Sequence, residues 1–320
     1  MMKKPLQEII ADGGNTIISG IANDSRQVIP GDLFLAYSGE VHDGHAHVQE
    51  AVDRGAVAVC VERQVDVAVP SFICPHLKVH QGKIAARFYD DPSVALECVG
   101  VTGTNGKTSI GYFCAALLDD AAFIGTVGWG ELGNLHETAL TTENPVTVQR
   151  RLHELREIGF KSVVMETSSH ALHQGRVADV SFDTAVFSNL TRDHLDYHGT
   201  MERYAAAKLK LFEMPSVSAA VINMDDPFGR HIAKAVNAEM ISYGISTDTA
   251  VSWSDIKHES DGIKGCWHTP WGSSRFRIPL FGEFSLGNAA AALSVACLTG
   301  IPLDDVVTAM KNLPTVPGRM

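Results

Sequence analysis

Apolar residues in this chain gather into short unbroken runs, with stretches of helical periodicity between them. Leu33-Phe34-Leu35-Ala36 is one such run. His47 to Arg54 follows with a helical pattern closed by Gly55, and Ala56 to Val61 is a second run. Together they predict a small α/β unit from residue 17 to about 87. A further helix is expected over His80 to Ser93, ending in Asp90-Asp91-Pro92. Pro92 marks a boundary, because a proline pushes the residue before it out of helical geometry.

Beyond that boundary the runs Cys98 to Thr102, Ser162 to Met165, Thr184 to Phe187 and Ala219 to Ile222 alternate with helical stretches. Apolar strands without in–out alternation, separated by helices, predict a parallel sheet covered on both faces. The texture changes between Ala250 and Phe281. Residues alternate there around the turn signals Ser260-Asp261-Gly262 and Pro270-Trp271-Gly272, as in antiparallel hairpins. Closing helices are expected over Leu286 to Leu298 and Leu303 to Leu313. The predicted fold class is therefore α/β. A small N-terminal α/β domain over 1–92 precedes a central phosphate-loop domain over 93–320, which has a mostly parallel sheet and an appended antiparallel hairpin region.

Length and composition agree with two packed domains: 320 residues, 45% hydrophobic and 20% charged. No run approaches the roughly 18 apolar residues of a membrane span. Met1 to Pro5 leads into polar sequence rather than a signal-peptide core, so a cytoplasmic protein away from membranes is expected. Six cysteines are scattered without a C-x-x-C pair, which predicts reduced, mostly buried thiols. A formal charge of −11 argues against a nucleic-acid partner. It leaves room for a nucleotide, which needs only a few local cations and backbone N–H groups.

The segment Thr102-Gly103-Thr104-Asn105-Gly106-Lys107-Thr108 lies between a predicted strand and a predicted helix. Glycines there let the backbone approach phosphate oxygens at a helix N-terminus. Lys107 is placed to meet the β/γ-phosphates and the Thr108 hydroxyl to hold Mg²⁺. The strict motif has glycine where Val101 stands, so the loop is a variant. Glu166 and His194 follow strand ends. That is where doubly wound sheets bind ligands, and both side chains can serve a phosphate-bridging divalent metal. Ser169-His170 lacks the G-x-S-x-G elbow of a hydrolase. Lys208 sits in a helical stretch behind Ala205-Ala206-Ala207; held near a metal, such an amine could lose its proton and react with CO₂.

Taken together, these motifs resemble the Mur ligases, most closely their UDP-N-acetylmuramyl-tripeptide synthetase (MurE) branch. The matching segments in the first domain are Asp24-Ser25-Arg26, Pro30 to Phe34 and Asp43-Gly44-His45. In the second they are the Thr102 to Thr108 loop, Thr141-Thr142, Glu166 to Arg176, Asn189 to Gly199, Ala206-Ala207-Lys208, Asn223 to Asp226 and Pro317 to Met320. The resemblance implies uridine-nucleotide contacts from Asn23, Ser25, Glu40, Val41 and His42 in the N-terminal domain. It implies muramyl-peptide contacts from Thr141, Thr142, Ser168, Gln174 and Arg176. ATP contacts are implied for Gly103, Thr104, Asn105, Gly106, Lys107, Thr108, Ser109, Asn288 and Arg319. Metal contacts are implied for Thr108, Glu166, His194 and Lys208, the last as an N6-carboxylysine. Two positions depart from the family pattern: Ser285 replaces an asparagine and Ser109 a threonine.

By resemblance, the cofactors are ATP and Mg²⁺. The partners are UDP-MurNAc-L-Ala-D-Glu and an amino acid, meso-diaminopimelate or L-lysine, handled by a monomer. The acceptor carboxylate would attack the γ-phosphorus of ATP, and the amine would displace the resulting acyl phosphate. The family's third, C-terminal domain is expected to be absent from a chain that stops at Met320, leaving a fragment that binds more than it ligates. Two other readings are a folylpolyglutamate-synthetase-like ligase and a non-catalytic nucleotide-binding module derived from a Mur ligase.

Overall fold

The computed structural model describes residues 2–10, 13–39 and 43–318. The chain forms two compact units. The first takes Met1–Pro92, Asn144–Glu154 and Gly175–Asp179; the second takes Ser93–Glu143, Leu155–Gln174 and Val180–Met320. The partition is not contiguous in sequence, because two later segments pack with the first unit.

The first unit holds a two-stranded antiparallel pair, β1 (Lys4–Pro5) and β2 (Ile17–Ile18), and a four-stranded parallel sheet. That sheet runs β3 (Gly20–Ala22), β4 (Asp32–Ala36), β5 (Ala58–Val61) and β6 (Ser71–Ile73), with α1 (Val48–Asp53) and α2 (Leu77–Phe88). Alternation along β4 explains its unbroken apolar run. Leu33 and Leu35 enter one cluster with Ile84 and Phe88 of α2, whereas Phe34 and Ala36 enter another with Val48 and Ala51 of α1. Helix α2 starts earlier and stops earlier than expected. His76, Asp90 and Asp91 hold positive φ angles (59°, 57° and 43°), a conformation that cannot continue a right-handed helix.

The second unit begins with β7 (Glu97–Thr102), α3 (Lys107–Leu117), β8 (Ala121–Gly125), β9 (Gly128–Glu131) and β10 (Asn134–His136). Helix α4 (Pro145–Ile158) has its first part in the first unit. Then come β11 (Ser162–Glu166), α5 (Ser169–Gln174), β12 (Thr184–Phe187), α6 (Leu195–His198), α7 (Met201–Phe212), β13 (Ala219–Asn223), α8 (Pro227–Ala235) and β14 (Glu239–Tyr243). The eight-stranded sheet has the order β10-β9-β8-β11-β7-β12-β13-β14, parallel from β8 to β14, with the β9–β10 hairpin antiparallel at one edge. Strand β7 therefore lies between β11 and β12, which the chain reaches in opposite directions. That is the switch point where such sheets open a crevice at their carboxyl ends.

The antiparallel region forms a sheet of its own, β15 (Ser252–Glu259), β16 (Gly262–Thr269) and β17 (Gly272–Ile278), tied to β14 by the isolated Tyr243–Val251 bridge. Its turns fall at the two expected tripeptides. One face, with Ile263, Trp267, Phe276 and Ile278, joins the main core beside α9 (Glu283–Leu298) and α10 (Leu303–Met310). Helix α9 is buried almost all round. Ala289 to Ala292 let it pack closely against its neighbours, in the same core as Ile110, Phe113 and Cys114 of α3. Among the described residues no helix is long and apolar enough to cross a membrane.

Candidate active site

Strand β7 is buried along its length and ends at Thr102, after which the chain turns through Gly103 to Gly106 into α3. The N–H groups of the first turn of α3 have no partners within the helix, so they are available to an anion at its mouth. Gly106 has φ of 84°, and a Cβ there would stand 2.6 Å from the Asn288 Oδ1 of α9. Only glycine lets that helix close onto the loop.

The segment after β12 holds the loop's other side. Asn189 Oδ1 accepts from the Asn105 N–H (3.0 Å), its Nδ2 donates to the Asn105 carbonyl (3.1 Å), and Ser188 Oγ donates to that same carbonyl (2.5 Å). The Thr104 N–H donates to the Asn189 carbonyl (2.8 Å), and Thr104 Oγ1 meets Tyr204 OH of α7 at 3.0 Å. The loop thus keeps its shape through side chains from two neighbouring elements.

Three ionisable groups converge here. Lys107 Nζ donates to the carbonyls of Gly103 and Thr104, both at 2.9 Å. Lys208, fully buried in α7, donates from Nζ to the same Gly103 carbonyl at 2.7 Å and lies 4.5 Å from the centroid of the Tyr204 ring. Burial, aided by the Lys107 charge, holds the Lys208 amine well below the usual lysine range. Glu166, at the end of β11, is also fully buried. Its Oε1 accepts from the Thr126 N–H (2.8 Å), and its Oε2 accepts from Thr108 Oγ1 (3.0 Å) and Thr126 Oγ1 (3.3 Å). Burial raises its carboxyl above the ordinary range, although the Thr126 N–H, the Lys107 charge and the Thr108 hydroxyl oppose the shift.

These residues fit a hard divalent cation. A buried carboxylate whose charge is incompletely offset is stabilised by additional positive charge. Thr108 donates its single proton to Glu166, which leaves its oxygen lone pairs free. Among the described residues no three His, Cys, Asp or Glu side chains gather as a self-sufficient metal cage.

His194 reaches this group through Tyr204. Half exposed and with φ of 51°, it stands before α6, 3.5 Å from an Asp193 oxygen, and belongs to a cluster of rings. Its centroid is 4.8 Å from that of His170 and 6.0 Å from that of Tyr204, the residue that joins the cluster to the loop. His198 in the same cluster meets Ser169 Oγ at 3.0 Å, and burial, reinforced by the surrounding His and Lys charges, lowers its imidazole to about 4. Ser169 is thus tied to His198 rather than to its neighbour His170, in a buried structural pair.

The positions expected to hold the peptide divide between the units. Thr142 Oγ1 donates to the Glu166 main-chain carbonyl (2.8 Å) and accepts from the Ser168 N–H (3.0 Å), so both residues lie beside the end of β11. Thr141 Oγ1 meets Thr126 Oγ1 at 3.0 Å, and Gln174 donates to Tyr197 OH at 2.9 Å. Arg176 falls in the Gly175–Asp179 segment of the first unit. In that unit Ser25 donates to Glu50 (2.8 Å), and Asn23 donates to Gln81 (2.8 Å) and Asn144 (3.2 Å). Glu40, Val41, His42 and Arg319 lie outside the described residues. Ser109 is half-buried on α3.

A cavity of about 580 Å³ opens next to the loop, lined by Asn105, Gly106 and Asn288 together with Asn189, Asp225 and Phe284. Of these last three the sequence reading assigned no role, nor did it assign one to Thr126. Asn189 lies two residues past the end of β12, a signal that was available; Thr126 follows β8, which was not recognised as a strand.

An α/β protein with a phosphate-loop motif at the switch point of its parallel sheet, closed by a lysine and a buried acid, is the class these features define. Residues 101–296 match the Mur ligase middle domain, and residues 17–95 match the Mur ligase family catalytic domain. The chain belongs to the Mur ligase family.

It is 43% identical to the UDP-N-acetylmuramoyl-L-alanyl-D-glutamate--2,6-diaminopimelate ligase of Coxiella burnetii (strain RSA 493 / Nine Mile phase I), over 96% of this chain and 66% of that protein. The protein of that name from Pseudomonas aeruginosa (PAO1) is 42% identical over 95% of this chain and 65% of its own length. A solved structure of a ligase of the same name superposes with a TM-score of 0.88 at 33% identity, covering all of this chain and 68% of that one. The chain thus spans about two thirds of the length of the curated relatives it matches.

Proposed function

We propose that this chain carries the nucleotide-binding and acceptor-binding parts of an ATP- and Mg²⁺-dependent ligase that adds the third residue to UDP-MurNAc-L-Ala-D-Glu. The observation that carries this reading is the buried Glu166 carboxylate, held by Thr108 beside Lys107 at the mouth of the phosphate loop. The amino acid proposed is 2,6-diaminopimelate, which the relatives' names carry. A cytoplasmic monomer, a uridine-binding role for the first domain, over 1–92, and an ATP-binding role for the second, over 93–320, belong to the same proposal.

In this reading the acceptor carboxylate attacks the γ-phosphorus of ATP, ADP leaves, and the amine displaces phosphate from the acyl phosphate. Two anions must approach, so the site needs positive charge more than it needs a base. Lys107 turns from the loop carbonyls towards the β/γ-phosphates, and the first-turn N–H groups of α3 take the remaining phosphate oxygens. Mg²⁺, held through Thr108, Glu166 and His194, supplies charge neutralisation at the phosphates. Asn288 and Arg319 serve the nucleoside side, and the cavity beside Asn288 suits a base. Lys208, whose amine burial shifts towards the neutral form, reacts with CO₂ to a carbamate and releases one proton; the new anion is a ligand for a second cation.

Calorimetric titration of ADP with Mg²⁺ tests the assignment. Lys107→Ala is expected to weaken binding at least about tenfold, and to lower turnover on the order of 10²-fold in a chain of the relatives' full length. Unchanged binding in that variant would remove the phosphate loop from the account.

A further inference from the structure

Thr126 lies outside the phosphate loop, yet it is the residue through which two parts of the site meet. Its backbone N–H holds Glu166 Oε1 at 2.8 Å. Its hydroxyl lies between two oxygens, Glu166 Oε2 at 3.3 Å and Thr141 Oγ1 at 3.0 Å. Gly125, just before it, has no room for a side chain: a Cβ there would collide with Glu166 Oε1 and the Phe123 ring. The end of β8 is therefore fitted against the carboxylate rather than merely near it.

A hydroxyl carries one proton and can donate in one direction only. When Thr126 donates to Glu166, Thr141 donates to Thr126. When an anionic acceptor takes the Thr141 proton, the Thr141 oxygen is left to accept, and Thr126 turns towards it. That turn removes one of the two donors from Glu166 Oε2 and frees a lone pair on the side shared with Thr108. We propose that Thr126 is a positioning residue that links the two halves of the site: occupancy at Thr141 by an acceptor carboxylate strengthens the hold of Glu166 and Thr108 on the divalent cation. The inference rests on the function proposed above and assigns that site a coupling device.

Linkage makes the effect measurable from binding alone, since the acceptor must change cation affinity as much as the cation changes acceptor affinity. Mg²⁺ is titrated calorimetrically into the 320-residue chain with ADP, with and without UDP-MurNAc-L-Ala-D-Glu. In the wild type the acceptor should tighten Mg²⁺ about fivefold or more. Thr126→Val, which removes the hydroxyl donor from Glu166 Oε2 altogether, should reduce that ratio at least threefold and raise Mg²⁺ affinity without acceptor towards the acceptor-bound level of the wild type. ADP affinity without metal should not change. Thr126→Ser, which keeps the hydroxyl, should restore the coupling; a role confined to packing would instead follow the methyl group. If Thr126→Val does not fold, as judged by circular dichroism, Thr126→Ala takes its place.

Coupling as large in Thr126→Val or Thr126→Ala as in the wild type overturns the inference. So does loss of coupling in Thr126→Ser. If Lys107→Ala and Glu166→Gln also bind Mg²⁺ and ADP normally, the fault lies with the proposed site itself; if they fail as expected, it lies with Thr126 alone. A wild-type chain that binds no acceptor overturns both.

Discussion

Glu166 and Lys208 are ionisable groups that folding removes from water, and each removal leaves a pH signature. Glu166 keeps its proton to higher pH in the folded chain than the ordinary value of 4.5, because burial is the largest influence on it. Between those two pH values the folded state binds more protons, so stability falls as pH rises through the window. Lys208 is the mirror case. Its folded value lies well below 10.5, the unfolded chain binds more protons in between, and stability rises with pH there. The Glu166 cost is fully present once the pH has passed its raised folded value. Glu166→Gln should therefore raise Tm at pH 7.5 without metal, by about 2–4 °C for each kcal/mol recovered. The gain should shrink towards pH 5, while Mg²⁺-dependent ADP binding falls roughly tenfold or more. Thermal unfolding followed by circular dichroism at both pH values, with one calorimetric titration, checks all three parts.

At the scale of elements, the site is built from the carboxyl ends of β7, β8, β11 and β12 with helices α3, α7 and α9. Helix α7 brings Tyr204 and Lys208 to the loop one turn apart, four residues being the spacing that shares a helix face. Thr200 caps that helix, its Oγ1 accepting from the Arg203 N–H at 3.3 Å. The end of β8 is more exacting. Gly125→Ala should destabilise the chain by about 1–3 kcal/mol, the range for overpacking a tight contact. It should also weaken Mg²⁺ binding, because Glu166 has to yield. Urea unfolding with and without Mg²⁺ and ADP would show both effects, and an alanine tolerated at wild-type stability would contradict the fit described for this corner. The pattern behind β7, β11, β12 and β13 was legible because buried parallel strands are apolar along their whole length. Strands β9 and β10 were not, since Gly128-Trp129-Gly130-Glu131 and Asn134-Leu135-His136 are too short and mixed to carry a period.

For the whole molecule, the division into two units separates two kinds of stability. Each unit has its own apolar clusters, and all the residues around the phosphate loop belong to the second. A ligand that binds only the folded form adds stability by mass action, about 2.7 kcal/mol at a hundred times Kd. ADP with Mg²⁺ at that excess should stabilise the second unit by that amount, read from hydrogen-exchange protection of β7, β11 and β12, with little change in β4 and β5. Equal protection of both sheets would mean that the units do not respond separately.

The linear order of residues determined the phosphate loop, the strands flanking it and the resemblance that names the family, because each of these depends on neighbours within a few positions along the chain. Glycine spacing, a lysine at the start of a helix and apolar runs of strand length are local properties. Only the tertiary structure decided that Thr108 and Thr126 bracket Glu166 and that Asn189 braces the loop from across the sheet. It likewise decided that Lys208 reaches the Gly103 carbonyl from 105 positions away and that His194 stands among rings that meet the loop through Tyr204. Those relations follow from strand order and burial, which bring distant segments into contact through the packing of the whole sheet, and no spacing along the chain records them.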